Sequence, residues 1–290
     1  MQSRLFLTIL FCGFLSSAYC QQPAAPQGGT DEWPGPRADG SVLLPNLWSL
    51  RPAGKQVLLG DFPVNVAVHP SGKWAAALHS GYGQNEITVV QLPQGEVISR
   101  APINESFYGL VFNSRGTELF CSGAGDEVVH RFQFRNGYLS DHQEVTLRRA
   151  ASRGIPSGIA LDPDGERLYC ANVWGQSIDI VSLRSGLVKS IVLSTNIPTP
   201  AGLAPAKNED EAAITKRAEA ALQEANSEDP FPYGCALDAE RSRLYASFWA
   251  QATVGVFDAQ TGLALAHWPT EEHPNELILS RKGKHLFVAG

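Results

Sequence analysis

The sequence predicts an all-β propeller, on three observations. The segment from Gly158, GIALDPDGERLYCANVWGQSIDIVSL, recurs down the chain with the same turn and the same apolar alternation. Its turn positions, Gly72, Gly116, Gly165, Arg241 and Gly283, stand 44, 49, 76 and 42 residues apart. The regular period is therefore close to the roughly 45 residues of one four-stranded blade. Each copy alternates with a period of two and carries Gly or Pro turns at fixed places, which excludes helix-pair solenoids.

Taken in order, the chain begins with Arg4 ahead of an apolar run, Leu5 to Leu15, followed by Ser16-Ser17-Ala18-Tyr19-Cys20. Residues 1–20 read as a secretory signal peptide, and the run is too short for a spanning helix. Cleavage after Cys20 is expected. Cys20 is also where a lipoprotein anchor would attach, although Tyr19 fits poorly the small residue such processing needs. Residues 21–40, QQPAAPQGGTDEWPGPRADG, read as a disordered tether, and 41–290 as the repeat fold.

Within that fold, Lys55 to Gly60, KQVLLG, resembles the fourth strand of a blade whose other strands are not upstream. Full copies start at Asn65, Gly109, Gly158 and Gly234, and a shorter one at Glu276 stops in its second strand. In the third copy Ile159–Leu161 is an inner strand, Asp162-Pro163-Asp164-Gly165 a turn and Arg167–Ala171 the return strand. Ser177–Leu183 and Leu187–Leu193 follow as the third and fourth strands. Such four-stranded units bury their faces only by stacking on one another. The expectation is thus about four and a half blades of a longer protein, with the first and last edges open to association. The interval of 76 holds an insertion, 197–229, which reads as a Pro-rich loop and a helix. Asn208 would cap that helix, and Ile214, Ala218, Ala221, Leu222 and Ala225 would form its small apolar face.

A net charge of -6 argues against a nucleic-acid surface, and 27 Gly with 19 Pro suit a turn-rich globular domain. Beyond the signal segment lie three cysteines, Cys121, Cys170 and Cys235. Their odd number and apolar neighbours predict buried free thiols. The chain has no CxxC, CxxCH, HExxH, GxSxG or P-loop, and its seven His are scattered, so no metal, cofactor or catalytic residue is expected. His69 reads as a turn residue, as do Asp162 and Asp164. Asn104-Glu105-Ser106 matches a glycosylation sequon.

One surface pattern does recur. After the second strand of successive copies come Tyr82-Gly83-Gln84, Ala124-Gly125-Asp126, Trp174-Gly175-Gln176 and Trp249-Ala250-Gln251. The same face receives the segments leading into the inner strands, where Pro63, Phe107, Pro156, Pro232 and Pro274 align, followed by Tyr108, Ser157, Tyr233 and Asn275. Two readings stay open. In one, Tyr82, Gln84, Tyr108, Asp126, Trp174, Gln176, Tyr233, Trp249, Gln251 and Asn275 form a ligand-binding rim. In the other, the small residue permits the turn, the Gln satisfies loop backbone, and the aromatic packs on the next blade.

Leu168-Tyr169-Cys170-Ala171-Asn172 with Ser177-Ile178-Asp179-Ile180-Val181 resembles the LYVTN and VSVID strands of the YVTN/YncE-like extracytoplasmic propellers. Leu244-Tyr245-Ala246-Ser247 with Val254 to Asp258 is similar, more loosely. The resemblance implies a seven-bladed YVTN-type ring, of which this chain carries part. Leu43 to Trp48 and Leu58 to Asp61 resemble bacterial proteins in which such a propeller precedes an alkaline-phosphatase-like phosphoesterase domain; none of that domain's metal ligands lies in this chain. The expected function is a periplasmic or secreted binding or scaffolding module for a protein or small-molecule ligand at one face, with no nucleic acid and no membrane span. The alternative is a lactonase-like hydrolase with its site at the channel. That needs converging acids, His or a metal, whereas the inner strands, such as Val66-Ala67-Val68 and Ile159-Ala160-Leu161, are mostly apolar.

Overall fold

The computed structural model describes residues 32–194, 229–280 and 283–290. The expected signal peptide, the tether up to residue 31 and the inserted loop and helix up to residue 228 lie outside the described residues. Two compact units divide after Gly54. In the first, β1 (Gly35–Pro36), β2 (Val42–Leu43) and β3 (Ser49–Leu50) form a small antiparallel sheet, so part of the segment read as a tether is paired. Asp39 caps its first turn by accepting from the Ser41 amide and hydroxyl, which hold its carboxyl down at about 2.

The second unit is built of antiparallel four-stranded sheets in simple up-and-down order. Blade 1 is β4 (Pro63–Val68), β5 (Trp74–His79), β6 (Glu86–Gln91) and β7 (Glu96–Pro102). Blade 2 is β8 (Leu110–Phe112), β9 (Glu118–Ser122), β10 (Val128–Arg135) and β11 (Tyr138–Thr146). Blade 3 is β12 (Pro156–Leu161), β13 (Arg167–Asn172), β14 (Ser177–Ser182) and β15 (Val188–Val192). Blade 4 is β16 (Pro232–Asp238), β17 (Arg243–Phe248), β18 (Thr253–Asp258) and β19 (Ala264–Pro269). A hairpin, β20 (Glu276–Leu279) and β21 (Leu286–Ala289), follows. Among the described residues no helix is long and apolar enough to cross a membrane.

The alternation of side chains along a strand explains how the blades cohere. On β9, Leu119 and Cys121 face blade 1, where they join Leu78, Ile87 and Val89. Between them Phe120 points the other way, to Leu168, Cys170 and Val181 of blade 3. Tyr169 in turn faces Leu244 and Phe257 of blade 4, and Tyr245 faces Leu277 of the hairpin. The core is therefore a series of layers between sheets, with blades 2, 3 and 4 each feeding two of them and blade 1 and the hairpin one each. The Tyr169 hydroxyl completes its layer by donating to the Ala259 carbonyl at 3.0 Å.

Turn residues behave as their chemistry dictates. Asp162 accepts from the amides of Glu166 and Arg167, and His69 bonds Ser71 while its other ring nitrogen reaches the Gly116 carbonyl of blade 2 at 2.9 Å. All three described cysteines are free. Cys121 and Cys170 are fully buried, and burial pushes the Cys235 thiol up to about 12. Residues 55–60, expected as a strand, take no strand pairing. They run past a sheet whose four strands are already matched, touching Gln94 and His79, and Leu58 is left exposed. Apolar side chains also face solvent on β4 (Val66, Val68) and on the hairpin (Ile278, Phe287).

Candidate binding face

Register places the lead-in to each inner strand beside the loop after the second strand. Pro156 pairs with Asn172, which pairs with Ser177; Pro232 pairs with Phe248, which pairs with Thr253. Both kinds of segment thus gather at one end of every sheet, as the sequence pattern implies. The residue before each proline has a left-handed backbone: Phe62, Ile155, Phe231 and His273 have φ of 45°, 56°, 46° and 58°. That conformation is costly for side-chain-bearing residues, above all the β-branched Ile155, and persists only where neighbours fix it.

The fixing groups are visible. Gln176, itself at φ 45°, is fully buried, and its Oε1 accepts from the Phe231 amide at 2.9 Å. Glu127, at φ 57° and also fully buried, accepts from the Ile155 amide at 2.8 Å. The two residues immediately precede β14 and β10, so they are structural equivalents. Each reaches from one blade to the strained lead-in of the next. Blade 4 has Ala252 at this position, φ 50°, and there the Trp249 ring stacks on His273 with centroids 4.1 Å apart. Blades 1 and 2 are joined instead by Ser80 Oγ donating to the Ser106 carbonyl and Ser106 Oγ donating to the His79 carbonyl.

A charged group backs the Glu127 staple. Arg148 lies 3.6 Å from Glu127 and bonds the buried Asp179, which also accepts from Ser190 at 2.5 Å. Burial pushes the Glu127 carboxyl up, against the pull of the Ile155 amide and the Arg148 charge.

At the axis the inner strands converge. β12 and β16 each start with a bulge that holds a glycine packed against the next blade's backbone: a Cβ on Gly158 would stand 2.5 Å from the Tyr233 carbonyl oxygen. Gly109 and Gly234 are crowded in the same way by Ser157 and Asn275. In blade 1 Asn65 takes that place and donates to the Tyr108 carbonyl at 2.9 Å. Tyr108 and Tyr233, from blades 2 and 4, meet with ring centroids 4.9 Å apart, Phe107 lies 5.5 Å from Tyr233, and the Tyr108 hydroxyl donates to Glu276 of β20. Burial first, then the bond to Glu276, raises the Tyr108 phenol well above its ordinary value; burial likewise raises Tyr233.

The sequence-derived rim residues therefore divide. Tyr108, Tyr233 and Asn275 come together at the axis. Gln176 is an inter-blade staple with no free face. Asp126 sits in a short 3₁₀ turn with one carboxylate oxygen buried, and Trp174 is half-buried with its amide bonded to the Gly154 carbonyl. Gln251 is half-buried and Gln84 exposed. Tyr82 is fully exposed and Trp249 is 41% exposed. Phe62 was missed by sequence reading; it is 67% exposed and lines an open cleft of about 330 Å³ with Asp61, Ser80, Gly81 and Tyr82. Asp61 shapes that cleft by accepting from the Gly83 amide at 2.9 Å.

No protein-family model and no curated protein sequence matches the chain. Solved structures do. A Kuenenia stuttgartiensis hydrazine synthase chain is similar at 18% identity with a TM-score of 0.57, over 86% of this chain and 73% of its own. The β-propeller domain of Cps50 (Swd1) from Myceliophteria thermophila is similar at 13% identity and 0.54, over 80% of this chain and 63% of its own. A structure described as a putative 6-phosphogluconolactonase from Bacteroides uniformis is similar at 17% identity and 0.51, over 78% and 63%. The chain thus spans less than two thirds of the last two neighbours. At these identities the likeness is one of fold, and the fold is β-propeller-like.

Proposed function

We propose that this chain is a secreted or periplasmic propeller that binds a protein or small-molecule ligand through the face where the lead-ins and the strand-two loops meet. The observation that carries the reading is the pairing of exposed Phe62 and Tyr82 over one cleft, with Trp249 exposed at the equivalent end of blade 4. Large aromatic side chains at a surface cost free energy to leave in water, and a cluster of them at loop tips suits recognition. The axial group of Phe107, Tyr108, Tyr233 and Glu276 adds phenol and carboxylate chemistry beside it. The resemblance to YVTN/YncE-like propellers supports an extracytoplasmic, seven-bladed ring, and a role beside a phosphoesterase domain. A channel hydrolase has one lactonase-like neighbour behind it, a likeness that brings no residue with it.

The test is a capture experiment from periplasmic and secreted fractions with the wild-type chain and a Phe62→Ala/Tyr82→Ala variant. The proposal predicts a partner or ligand retained by the first and lost by the second, at an unchanged unfolding midpoint. Equal capture by both would sink it.

A further inference from the structure

Strands β10 and β11 form the outer edge of blade 2, away from the axial face. Register sets His130 opposite Glu144, and His142, two residues before Glu144, shares its side of β11. The ladder shifts between Arg131 and Gln133, and Asp141 there has φ 49°. That irregularity turns His142 in over its neighbours: its ring stacks on Phe132 at 4.6 Å and 12°, and its Nε2 lies 3.0 Å from His130 Nδ1. Glu144 Oε1 is 3.9 Å from the same nitrogen. One ligand atom from each of the three residues falls within 4.8 Å of the others.

We infer that His130, His142 and Glu144 form a binding site for a divalent transition-metal ion, Zn²⁺ being the best fit to two imidazoles and a carboxylate. Zn–N bonds of about 2.0–2.1 Å in a tetrahedral site put ligand atoms about 3.3 Å apart. The observed 3.0 and 3.9 Å straddle that value, so small side-chain movements suffice. The tautomers are already arranged. His130 is fully buried and its Nε2 lies 3.1 Å from the Glu105 carbonyl, which requires a proton on Nε2 and leaves the Nδ1 lone pair aimed at the site. A ring nitrogen donating to a backbone carbonyl is the outer-shell arrangement of metal-bound histidines. In the metal-free state His142 Nε2–H donates to that lone pair; on binding, its proton moves to the exposed Nδ1 and Nε2 becomes a ligand. The Glu144 carboxylate, 3.9 Å from His130 Nδ1, brings negative charge to the site, which favours a cation. Three protein ligands leave a fourth position for water or an outside group.

Sequence reading missed this because no short spacing links the residues: His130 and His142 are twelve apart and meet only through strand pairing. The test is calorimetric titration of the EDTA-treated full chain with Zn²⁺, alongside His142→Ala and Glu144→Gln. Both substituted side chains are exposed, and circular dichroism checks that the variants fold. The site predicts one equivalent bound by the wild type, abolished by His142→Ala and weakened at least about tenfold by Glu144→Gln. A second reading uses Co²⁺, whose visible bands should appear with the wild type and vanish with His142→Ala. No binding by the wild type, or equal binding by all three proteins, overturns the inference.

Discussion

Replacing Gln176 with Ala isolates the inter-blade staple from everything else on the binding face. The Phe231 amide loses its acceptor, and a buried donor left unpaired costs about 1–3 kcal/mol. The fully buried side chain also leaves a void on the order of 50 Å³, worth about 1 kcal/mol if it stays unfilled. Urea unfolding followed by tryptophan fluorescence should therefore show a loss of about 2–4 kcal/mol. Two companions test the cause. Gln176→Glu keeps an acceptor but buries a carboxyl whose folded pKa would lie above its unfolded value of about 4.3. Its stabilising contribution would be fully present below that value and lost as pH rises, so the variant should be weak at pH 7 and recover toward pH 4. Glu127→Gln makes the reverse exchange at the equivalent position. It keeps the Ile155 bond, leaves Arg148 its Asp179 partner, and should change stability at pH 7 by less than about 1 kcal/mol. Because burial raises the Glu127 pKa from 4.5, wild-type stability should decline as pH rises above that value, and this variant should lack that decline. A Gln176→Ala protein within about 0.5 kcal/mol of wild type would refute the staple.

Three more outcomes follow from the geometry. Cys121, Cys170 and Cys235 are free with raised thiol pKa values, so a disulfide-exchange reagent should label them slowly until urea unfolds the chain; rapid labelling of any of the three contradicts their burial. Alkaline titration at the tyrosinate absorbance should show Tyr108 and Tyr233 resisting ionisation, with stability lost as pH climbs above the unfolded phenol value of about 10; Tyr108→Phe should remove one of the late-titrating groups. Gly158→Ala drives a methyl into the Tyr233 carbonyl and should cost about 1–3 kcal/mol by the same urea assay, while Gly165→Ala, in open space, should lose only what its left-handed turn demands.

The blades were legible because their signal is local: alternation gives the strands, and Asp162-Pro163-Asp164-Gly165 gives the turn. The loop face was legible only in part. Matching Trp174-Gly175-Gln176 to Trp249-Ala250-Gln251 sets the two loops one residue out of step. Both loops hold four residues between paired strands, so Gln176 corresponds to Ala252 and Trp249 to Val173. The shared feature at that position is a left-handed backbone, which Gln, Ala and Glu all adopt here and which side-chain chemistry does not announce. The buried role of Gln176 was one of the two readings the pattern left open. Contacts across the axis were hidden for another reason: Tyr108 and Glu276 lie 168 residues apart and belong to different copies, so a repeat alignment never sets them side by side. Phe62 escaped because it precedes the first full copy and has no aromatic counterpart at most other lead-ins.

The central claim is that one face of the propeller combines buried staples with aromatic side chains free to bind. Hydroxyl-radical footprinting of the native chain reads this residue by residue. Tyr82, Phe62 and Trp249 should oxidise readily, at rates ordered by their exposure, while Tyr169, Tyr245 and Phe248, which are buried between blades, stay protected until the chain unfolds. Protection of Tyr82 and Phe62 at the level of Tyr169 would contradict the account.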